Sequence, residues 1–422
     1  MKTCVARSSL LSVLVTALVV ILAGPVTAQN FTVLHNFTAT PAPSFTNSDG
    51  AGPNELILSG NILYGTASVG GSSGNGTVFA LNTAGTDFTV LHSFIATDVN
   101  GNNRDGADPH AGLVLSGNTL YGTARDGGNS GDGTVFAVNT KTIAFQLVYT
   151  FTATDANGNN NDGASPQATL ILSSNTLYGT ASDGGIWGEG TVFAVNATGT
   201  GFTPLHSFTA TDANGNNSDG ANPQAILILS SNTLYGTASG GGNSGNGTVF
   251  AIDTETTAFT LLHSFTATDA NGVNSDGALP NGLILSSHTL YGTASLGGSS
   301  ANGMVFRVNA DGTGFTNLYN FSTVRTNTLG VYTNCLDHQP SGPRRRKWAE
   351  HGHKSNFGNT AVFPVEPVSS IFWLRSWWDC RIDSAAKRAK KDFGVDQGGS
   401  IGTARGKGTT VVVPCKVFSF SP

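Results

Sequence analysis

The run Thr233-Leu-Tyr-Gly-Thr-Ala-Ser-Gly-Gly-Gly-Asn-Ser-Gly-Asn-Gly-Thr-Val-Phe250 decides the fold, because it is one copy of a unit that recurs along most of the chain. Its Leu-Tyr-Gly-Thr-Ala part occurs five times, with tyrosines spaced by 57, 57, 57 and 56 residues: Tyr64, Tyr121, Tyr178, Tyr235 and Tyr291. Gly-Thr-Val-Phe follows in four copies, and Gly-Met-Val-Phe follows in the fifth. A fixed period of this kind indicates a repeat architecture.

Each period contains four short segments that are typical of β-strands. In the fourth copy they are residues 226–229, 233–238, 247–252 and 259–265, separated by runs rich in Ser, Asn, Gly and Thr. In 259–265, alternate residues such as Phe259, Leu261 and Phe265 share one face, which is the period of a strand. The run 226–229 is apolar throughout, as expected for an innermost strand between neighbouring sheets.

We therefore predict an all-β fold, a β-propeller built from five intact ~57-residue four-stranded repeats with an irregular C-terminal tail. A β-solenoid is the competing architecture, although its coils are usually about half this length. Residues 31–37 resemble the fourth strand of a blade without the three strands before it. The sequence leaves open whether five blades close by themselves or whether a sixth is required.

Composition supports this prediction and excludes some partners. Only 11% of the residues are charged, 39% are hydrophobic and 55 are Gly, which suits many short strands joined by tight turns. Residues 31–325 hold 5 Lys and Arg against 19 Asp and Glu, a net charge of −14, whereas residues 326–422 hold 14 against 7, a net charge of +7. So acidic a repeat region cannot neutralise phosphates, which argues against a nucleic-acid partner.

The first 28 residues read as a signal peptide. Lys2 and Arg7 precede an apolar run, and small residues up to Ala28 supply a cleavage site. An uncleaved anchor helix is the alternative, but the apolar run is shorter than the roughly 20 residues of a membrane span. We expect an exported protein that is secreted or held at the cell surface, with no transmembrane span after cleavage. Its mature cysteines, Cys335, Cys380 and Cys415, all lie in the tail.

The ordered Leu-Tyr-Gly-Thr-Ala, Gly-Gly turn and Gly-Thr-Val-Phe motifs resemble the repeat of the "choice-of-anchor" GloVer family of secreted bacterial proteins. The resemblance covers residues 31 to about 325. It implies an exported or surface-attached repeat protein of unknown activity, with no catalytic residues to transfer. Members often finish with a sorting or anchoring segment, and nothing in the tail of this chain matches one.

The tail, residues 326–422, breaks the period and contains four of the five Trp. It could be a second domain. We favour a frameshifted or misassembled terminus, because codons for residues 347–360 read one nucleotide later can spell a polar run like the rest of the chain. On that hypothesis the basic run 344–347 is not a nucleic-acid site, and resequencing the 3′ end of the gene tests it. The resulting domain prediction is 1–28, 29–325 and 326–422.

A calcium site is one candidate function of the loops between repeats. Four copies contain Asp-x-Asn-Gly followed by Asp-Gly, and alternating Asp and Asn oxygens around a Gly bend suit a hard cation. No certain cofactor is implied, because the pattern lacks the bidentate Glu of an EF-hand and Asp, Asn and Gly also favour turns. The predicted calcium ligands are Asp98, Asn100, Asp105, Asp155, Asn157, Asp162, Asp212, Asn214, Asp219, Asp269, Asn271 and Asp276.

A ligand-binding site is predicted where the repeat is broken. The third copy carries Ile186-Trp187-Gly188-Glu189, with the only Trp of the repeat region, and an exposed Trp beside a carboxylate can stack on a sugar or contact a protein. Drift in a loose loop is the alternative. The predicted ligand-binding residues are Trp187, Glu189, Asp183, Arg125 and Asp126.

One repeat position alternates between His and Tyr. His35, His92, His206 and His263 occupy it, with Tyr149 and Tyr319 in the other copies. A ring of His could bind a metal, but an aromatic body with a polar tip favours an inter-strand hydrogen bond within the blade.

No nucleophile elbow, zinc-protease motif or Walker loop is present in the sequence. Any enzymatic activity stays uncertain. We predict an exported binding or structural module that contacts polysaccharide or a surface protein, and the alternative is a secreted carbohydrate-active enzyme on a propeller scaffold.

Overall fold

The computed structural model describes residues 31–322 and the backbone strands at 324–326 and 332–334. These residues form five four-stranded antiparallel sheets in which each strand pairs with the next one along the chain. No described residue lies in a helix that could cross a membrane. The predicted signal peptide and nearly all of the predicted tail lie outside the described residues.

The five sheets, here called blades 1 to 5, use the strands in chain order. Blade 1 contains β1 (Ala51–Ser59), β2 (Ile62–Val69), β3 (Thr77–Asn82) and β4 (Thr89–Ser93). Blade 2 contains β5 (Val114–Ser116), β6 (Thr119–Ala124), β7 (Thr134–Asn139) and β8 (Phe145–Thr150). Blade 3 contains β9 (Ile171–Ser173), β10 (Thr176–Ala181), β11 (Thr191–Asn196) and β12 (Thr203–Ser207).

Blade 4 contains β13 (Ile228–Ser230), β14 (Thr233–Ala238), β15 (Thr248–Asp253) and β16 (Phe259–Ser264). Blade 5 contains β17 (Ala278–Ser286), β18 (Thr289–Leu296), β19 (Met304–Asn309) and β20 (Thr316–Asn320). A separate pair, β21 (Val324–Thr326) and β22 (Tyr332–Asn334), follows the blades.

The repeated motifs fix the register of each blade. Gly236 of β14 lies opposite Phe250 of β15. A Cβ atom at Gly236 would lie 2.6 Å from the Phe250 ring, so the Gly of Leu-Tyr-Gly-Thr-Ala makes room for the Phe of Gly-Thr-Val-Phe. The two motifs recur together because the Phe ring of one occupies the space that a side chain at the Gly position of the other would fill.

The hydrophobic core lies between the blades. One cluster joins Leu91 and Phe94, at the end of blade 1, to Leu113, Leu120 and Phe136 of blade 2. Equivalent clusters join blades 2 and 3, 3 and 4, and 4 and 5. Each blade buries its faces only against its neighbours, as the propeller prediction requires, and that fold class is confirmed.

The first strands meet near a common axis. The hydroxyl of Thr169, just before blade 3, donates to Glu55 Oε2 of blade 1 at 3.0 Å. The amide of Gly112, before blade 2, donates to the same hydroxyl at 2.9 Å. A Cβ atom at Gly112 would lie 2.7 Å from Glu55 Oε2, so Gly lets blades 1 and 3 meet. Blades two positions apart would not touch in a linear stack, and the solenoid alternative is wrong for these residues.

Two local expectations differ from the structure. The innermost strand of blade 4 begins at Ile228 rather than at residue 226. Residues 31–37 form no strand, yet their side chains pack as a fourth strand does. His35 stacks on Phe88 with ring centroids 3.8 Å apart, as His92 stacks on Phe145 at 4.0 Å. This segment occupies the fourth-strand position of a blade that would precede blade 1.

Candidate functional site

One end of every blade carries two connections, which we call the loop face. The glycine-rich connection joins the second strand to the third, and a long connection joins the fourth strand to the next blade. Because neighbouring strands are antiparallel, both connections emerge at the same end. At blade 2, Asn103 and Gly128 link the two connections. The amide of Asn103 donates to the carbonyl of Gly128, and the amide of Gly128 donates to Asn103 Oδ1, both at 2.9 Å.

Each long connection is held by a buried aspartate. Asp105 lies 2.8 Å from His92 Nε2 and accepts the amide of Ile95. Tyr149 takes the place of His in blade 2 and donates to Asp162 at 2.7 Å. The structural interpretation of the His and Tyr position agrees with these contacts. Its partner, however, is an aspartate of the following connection rather than a group on a neighbouring strand.

The eight aspartates among the predicted calcium ligands fall into two groups with separate partners, and the four asparagines, Asn100, Asn157, Asn214 and Asn271, are exposed. Asp98, Asp155, Asp212 and Asp269 are exposed, and each accepts backbone amides two and four residues later, as Asp98 does from Asn100 and Asn102 at 2.8 and 2.9 Å. These amide bonds lower the pKa of Asp98. The second group consists of the buried aspartates Asp105, Asp162, Asp219 and Asp276, whose carboxylates receive the His, Tyr and Thr contacts of the connection. Asx-turn geometry thus accounts for the first group, and calcium binding stays a prediction.

The predicted ligand-binding residues all lie on the loop face. The Trp187 side chain is 54% exposed, and its neighbour Ile186 is exposed as well. Glu189 accepts the amide of Thr211 at 3.2 Å and also its hydroxyl, so this carboxylate already holds a connection in place. Asp183 is exposed. Arg125 and Asp126 lie on the preceding blade, where they join a different group of side chains.

Four side chains of blade 2 form what we call the charged cluster: Asp108, His110, Arg125 and Asp126. Arg125 Nη1 lies 3.6 Å from Asp108 Oδ2, and Arg125 Nε lies 3.9 Å from Asp126 Oδ1. His110 Nδ1 lies 3.2 Å from Asp108 Oδ1. The backbone bridge between Ala107 and Asp126 brings the two chain segments together.

Other blades have uncharged residues at most of these positions. Blade 3 has Ser165, Gln167 and Ser182, with Asp183 as the one acid, and blade 4 has Asn222, Gln224, Ser239 and Gly240. Sequence analysis found Arg125 and Asp126 but missed Asp108 and His110. The signal that could have found them was available: both also depart from the repeat.

Burial and neighbouring charges perturb the acids around the cluster. Burial raises the pKa of Asp126, and the positive charge of Arg125 only partly opposes it. Burial likewise raises the pKa of Asp132, against the hydrogen bonds from Thr154, and repulsion by Asp162 and Asp183 adds to it. The hydrogen bond to Asp108 raises the pKa of His110. Asp132 therefore interacts both with Asp126 of the cluster and with Asp183, a predicted ligand-binding residue.

This arrangement suits recognition of a polar ligand. Guanidinium and imidazole N–H groups donate, carboxylates accept, and Arg125 and Asp126 are about half exposed. Among the described residues, no three His, Cys, Asp or Glu side chains are grouped as a metal centre.

Comparison with known proteins identifies the repeat. The family model described as Gloeobacter/Verrucomicrobia repeat matches residues 24–160, 102–285 and 156–338. No curated protein matches the chain.

Several solved structures are similar at low identity. A nidogen/laminin complex is 13% identical with a TM-score of 0.35, covering 59% of this chain and 77% of that chain. The GH74 enzyme of Niastella koreensis is 16% identical with a TM-score of 0.38, covering 64% and 38%. A puromycin-hydrolyzing peptidase of Mycobacterium tuberculosis is 14% identical with a TM-score of 0.39, covering 63% and 36%. The chain spans less than two thirds of the last two proteins.

Proposed function

Because the chain belongs to the Gloeobacter/Verrucomicrobia repeat family, we propose that it is an exported repeat protein that binds a polysaccharide outside the cell or at its surface. The charged cluster of blade 2 carries this proposal. Asp108, His110 and Arg125 each depart from the repeat, and they meet in space with Asp126. A repeat protein that only needed stable blades would gain nothing from these three changes at one place.

The chemistry of the loop face supports a polyhydroxylated ligand. Sugar hydroxyls both donate and accept hydrogen bonds, and the cluster offers both kinds of partner within one small area. Trp187 supplies an exposed aromatic ring on the same face, and such rings stack on apolar sugar faces. The signal-peptide features of residues 1–28 support export, and attachment to the cell surface is the second part of the proposal.

A glycan array with matched variants tests the binding site. Arg125→Ser introduces the residue that blades 3 and 4 have at this position, so we expect it to fold normally and to lose at least tenfold in glycan affinity. Trp187→Ala should weaken capture without changing the melting temperature. Arg104→Ser, which removes an arginine from the connection before blade 2, is the control and should bind as the parent chain does. Equal capture by all four proteins would contradict the proposal.

A secreted carbohydrate-active enzyme is the second candidate. The raised pKa values of Asp126 and Asp132 favour it, because the general acid of such an enzyme is a carboxyl group whose pKa lies above its ordinary value. A screen on plant and bacterial polysaccharides separates the two functions. Product release that Asp126→Asn abolishes would establish the enzyme, whereas capture without turnover would support the binding module.

A further inference from the structure

Blade 5 has an exposed face that, in the other blades, is covered by the next blade. Leu318 and Phe321 are 46% and 42% exposed, whereas their equivalents Leu205 and Phe208 are 8% and 0% exposed at the interface of blades 3 and 4. Tyr319 is exposed too, although its equivalent Tyr149 stacks on Phe202 of the next blade at 3.8 Å. Blade 5 therefore presents a complete interface with nothing described against it.

Blade 1 is open on the opposite face. Leu56 is 39% exposed, whereas its equivalent Leu113 is 2% exposed because blade 1 covers it. Leu58 and Ile62 are also exposed. The first three strands of blade 1 thus lack the upstream neighbour that blades 2 to 5 all possess.

A threonine that is buried between the other blades is exposed at the same place. The hydroxyl of Thr66, in the Leu-Tyr-Gly-Thr-Ala run of blade 1, donates to Ala111 O before blade 2 at 2.8 Å. Thr237 of blade 4 donates to Asn281 O of blade 5 in the same way at 2.8 Å. The equivalent Thr293 of blade 5 is exposed. Thr180, the equivalent in blade 3, is buried but makes no such hydrogen bond, so the exposure of Thr293 is what distinguishes blade 5.

Residues 32–37 already fill part of the gap. Phe37 packs edge-on against Phe79 with centroids 5.4 Å apart, as Phe94 packs against Phe136 at 5.3 Å. His35 lies 3.0 Å from Asp49, as His92 lies near Asp105. The described residues therefore supply the fourth strand of an upstream blade but not its first three strands.

We propose that the described blades hold five of six positions in a ring, and that the sixth position binds the first three strands of a further repeat of this same sequence type. The bound unit would place Leu residues equivalent to Leu113 and Leu120 on blade 5. Its third strand would pair with residues 32–37. This interface is continuous with the four already present, because the same residue types face it from both sides. The inference is independent of ligand binding on the loop face.

Thiol labelling of the full chain tests the occupant. The chain carries Tyr319→Cys with its four native cysteines changed to Ser, and the probe is a synthetic polypeptide of residues 107–144, which holds the first three strands of blade 2. We expect the probe to slow labelling of the new thiol at least tenfold and to form a one-to-one complex in sedimentation. A probe with Leu113→Asp and Leu120→Asp should give no protection. Tyr149→Cys, covered by Phe202, is the matched control and should label slowly with or without probe.

The other outcomes overturn the proposal. Equal labelling with and without the native probe would show that the position does not bind a repeat unit. Protection without probe that grows with protein concentration would assign the face to a second copy of the chain. Protection without probe that is independent of concentration would assign it to other residues of the same chain.

Discussion

The buried aspartate of each long connection shows how single residues hold the repeat together. Asp276 accepts the hydroxyl and the amide of Thr266 and lies 3.0 Å from His263 Nε2. His263 in turn stacks on Phe315 of blade 5 at 3.8 Å. One carboxylate thus links the end of a strand, the connection and the next blade, which explains why Asp is present in every copy.

Asp276→Asn should make stability less dependent on pH. Burial alone raises the pKa of Asp276, but the hydrogen bonds from His263 and Thr266 outweigh it, and the net pKa is lowered. A lowered pKa stabilises the folded state above the ordinary aspartate pKa, and that stability is lost as pH falls through the folded value. We expect the variant to lose about 1–3 kcal/mol at neutral pH and the difference from the parent to shrink below about pH 4.

Denaturant titrations at neutral and acidic pH measure this effect. Asp87→Asn, on an exposed turn of blade 1, is the control and should change stability little at either pH. A loss for Asp276→Asn that is the same at both pH values would show that its charge does not contribute.

Thr66→Val should lower the free energy of unfolding far more than the same change at Thr293. Thr66 is buried and donates to Ala111 O, so valine would leave that carbonyl without its donor. The expected loss is about 1–3 kcal/mol. Thr293→Val, at the same repeat position but exposed on blade 5, should cost under about 0.5 kcal/mol. Equal losses in chemical denaturation would mean that the threonine acts within its own blade rather than between blades.

At the scale of elements, each blade is a thin sheet that is stabilised mainly by packing against the neighbouring blades. Phe208, which follows β12, is fully buried against Phe250 of blade 4 with centroids 5.4 Å apart. The Phe that ends each blade is therefore the main anchor of the following interface. Sheets stacked in this way depend mostly on nearest-neighbour contacts, as in other repeat proteins.

Phe208→Ala and Phe321→Ala provide a matched pair at this scale. Removing the buried ring should destabilise the protein by about 3–5 kcal/mol through lost burial and a residual cavity. Phe321 lies at the same repeat position but is 42% exposed. Its replacement should lower the free energy of unfolding by less than about half as much, because much of its surface already contacts water. Urea unfolding of the two variants and the parent measures both losses. A Phe321→Ala loss as large as that of Phe208→Ala would show that blade 5 is covered in solution.

The blades could be predicted from the sequence because two periodicities recur in every copy. The 57-residue spacing locates each blade, and alternation within strands such as β16 locates its faces. Departure from the repeat marks Asp108 and His110 in the sequence, but their contact with Arg125 could not be predicted, because Asp108 and Arg125 belong to different connections. They meet only through the backbone bridge between Ala107 and Asp126. Likewise, the role of Asp105 depends on His92, which lies on the preceding blade, and no local pattern relates the two.

For the whole molecule, we expect the stable unit to coincide with the described repeats. Within the described part of the chain, the four core clusters draw on residues between Ile57 and Phe315. Residues 31–325 are strongly acidic and the remainder is basic, so removing the remainder raises the net negative charge. Charge repulsion between exposed groups is weak at physiological salt because it is screened within about 8 Å.

A chain ending at residue 322 should therefore unfold cooperatively with a melting temperature within about 4 °C of the full chain, a shift equivalent to at most about 1 kcal/mol for a unit of this size. A chain ending at residue 265 removes blade 5 and exposes Leu262 and Phe265, which are 7% and 0% exposed in the intact protein. Each exposed side chain of this kind costs about 1.5–3 kcal/mol, so this shorter chain should melt at a clearly lower temperature. Calorimetry of the three chains separates the cases. If the chain ending at 322 melted as low as the chain ending at 265, residues beyond blade 5 would have to supply core contacts, and the stable unit would extend past the described blades.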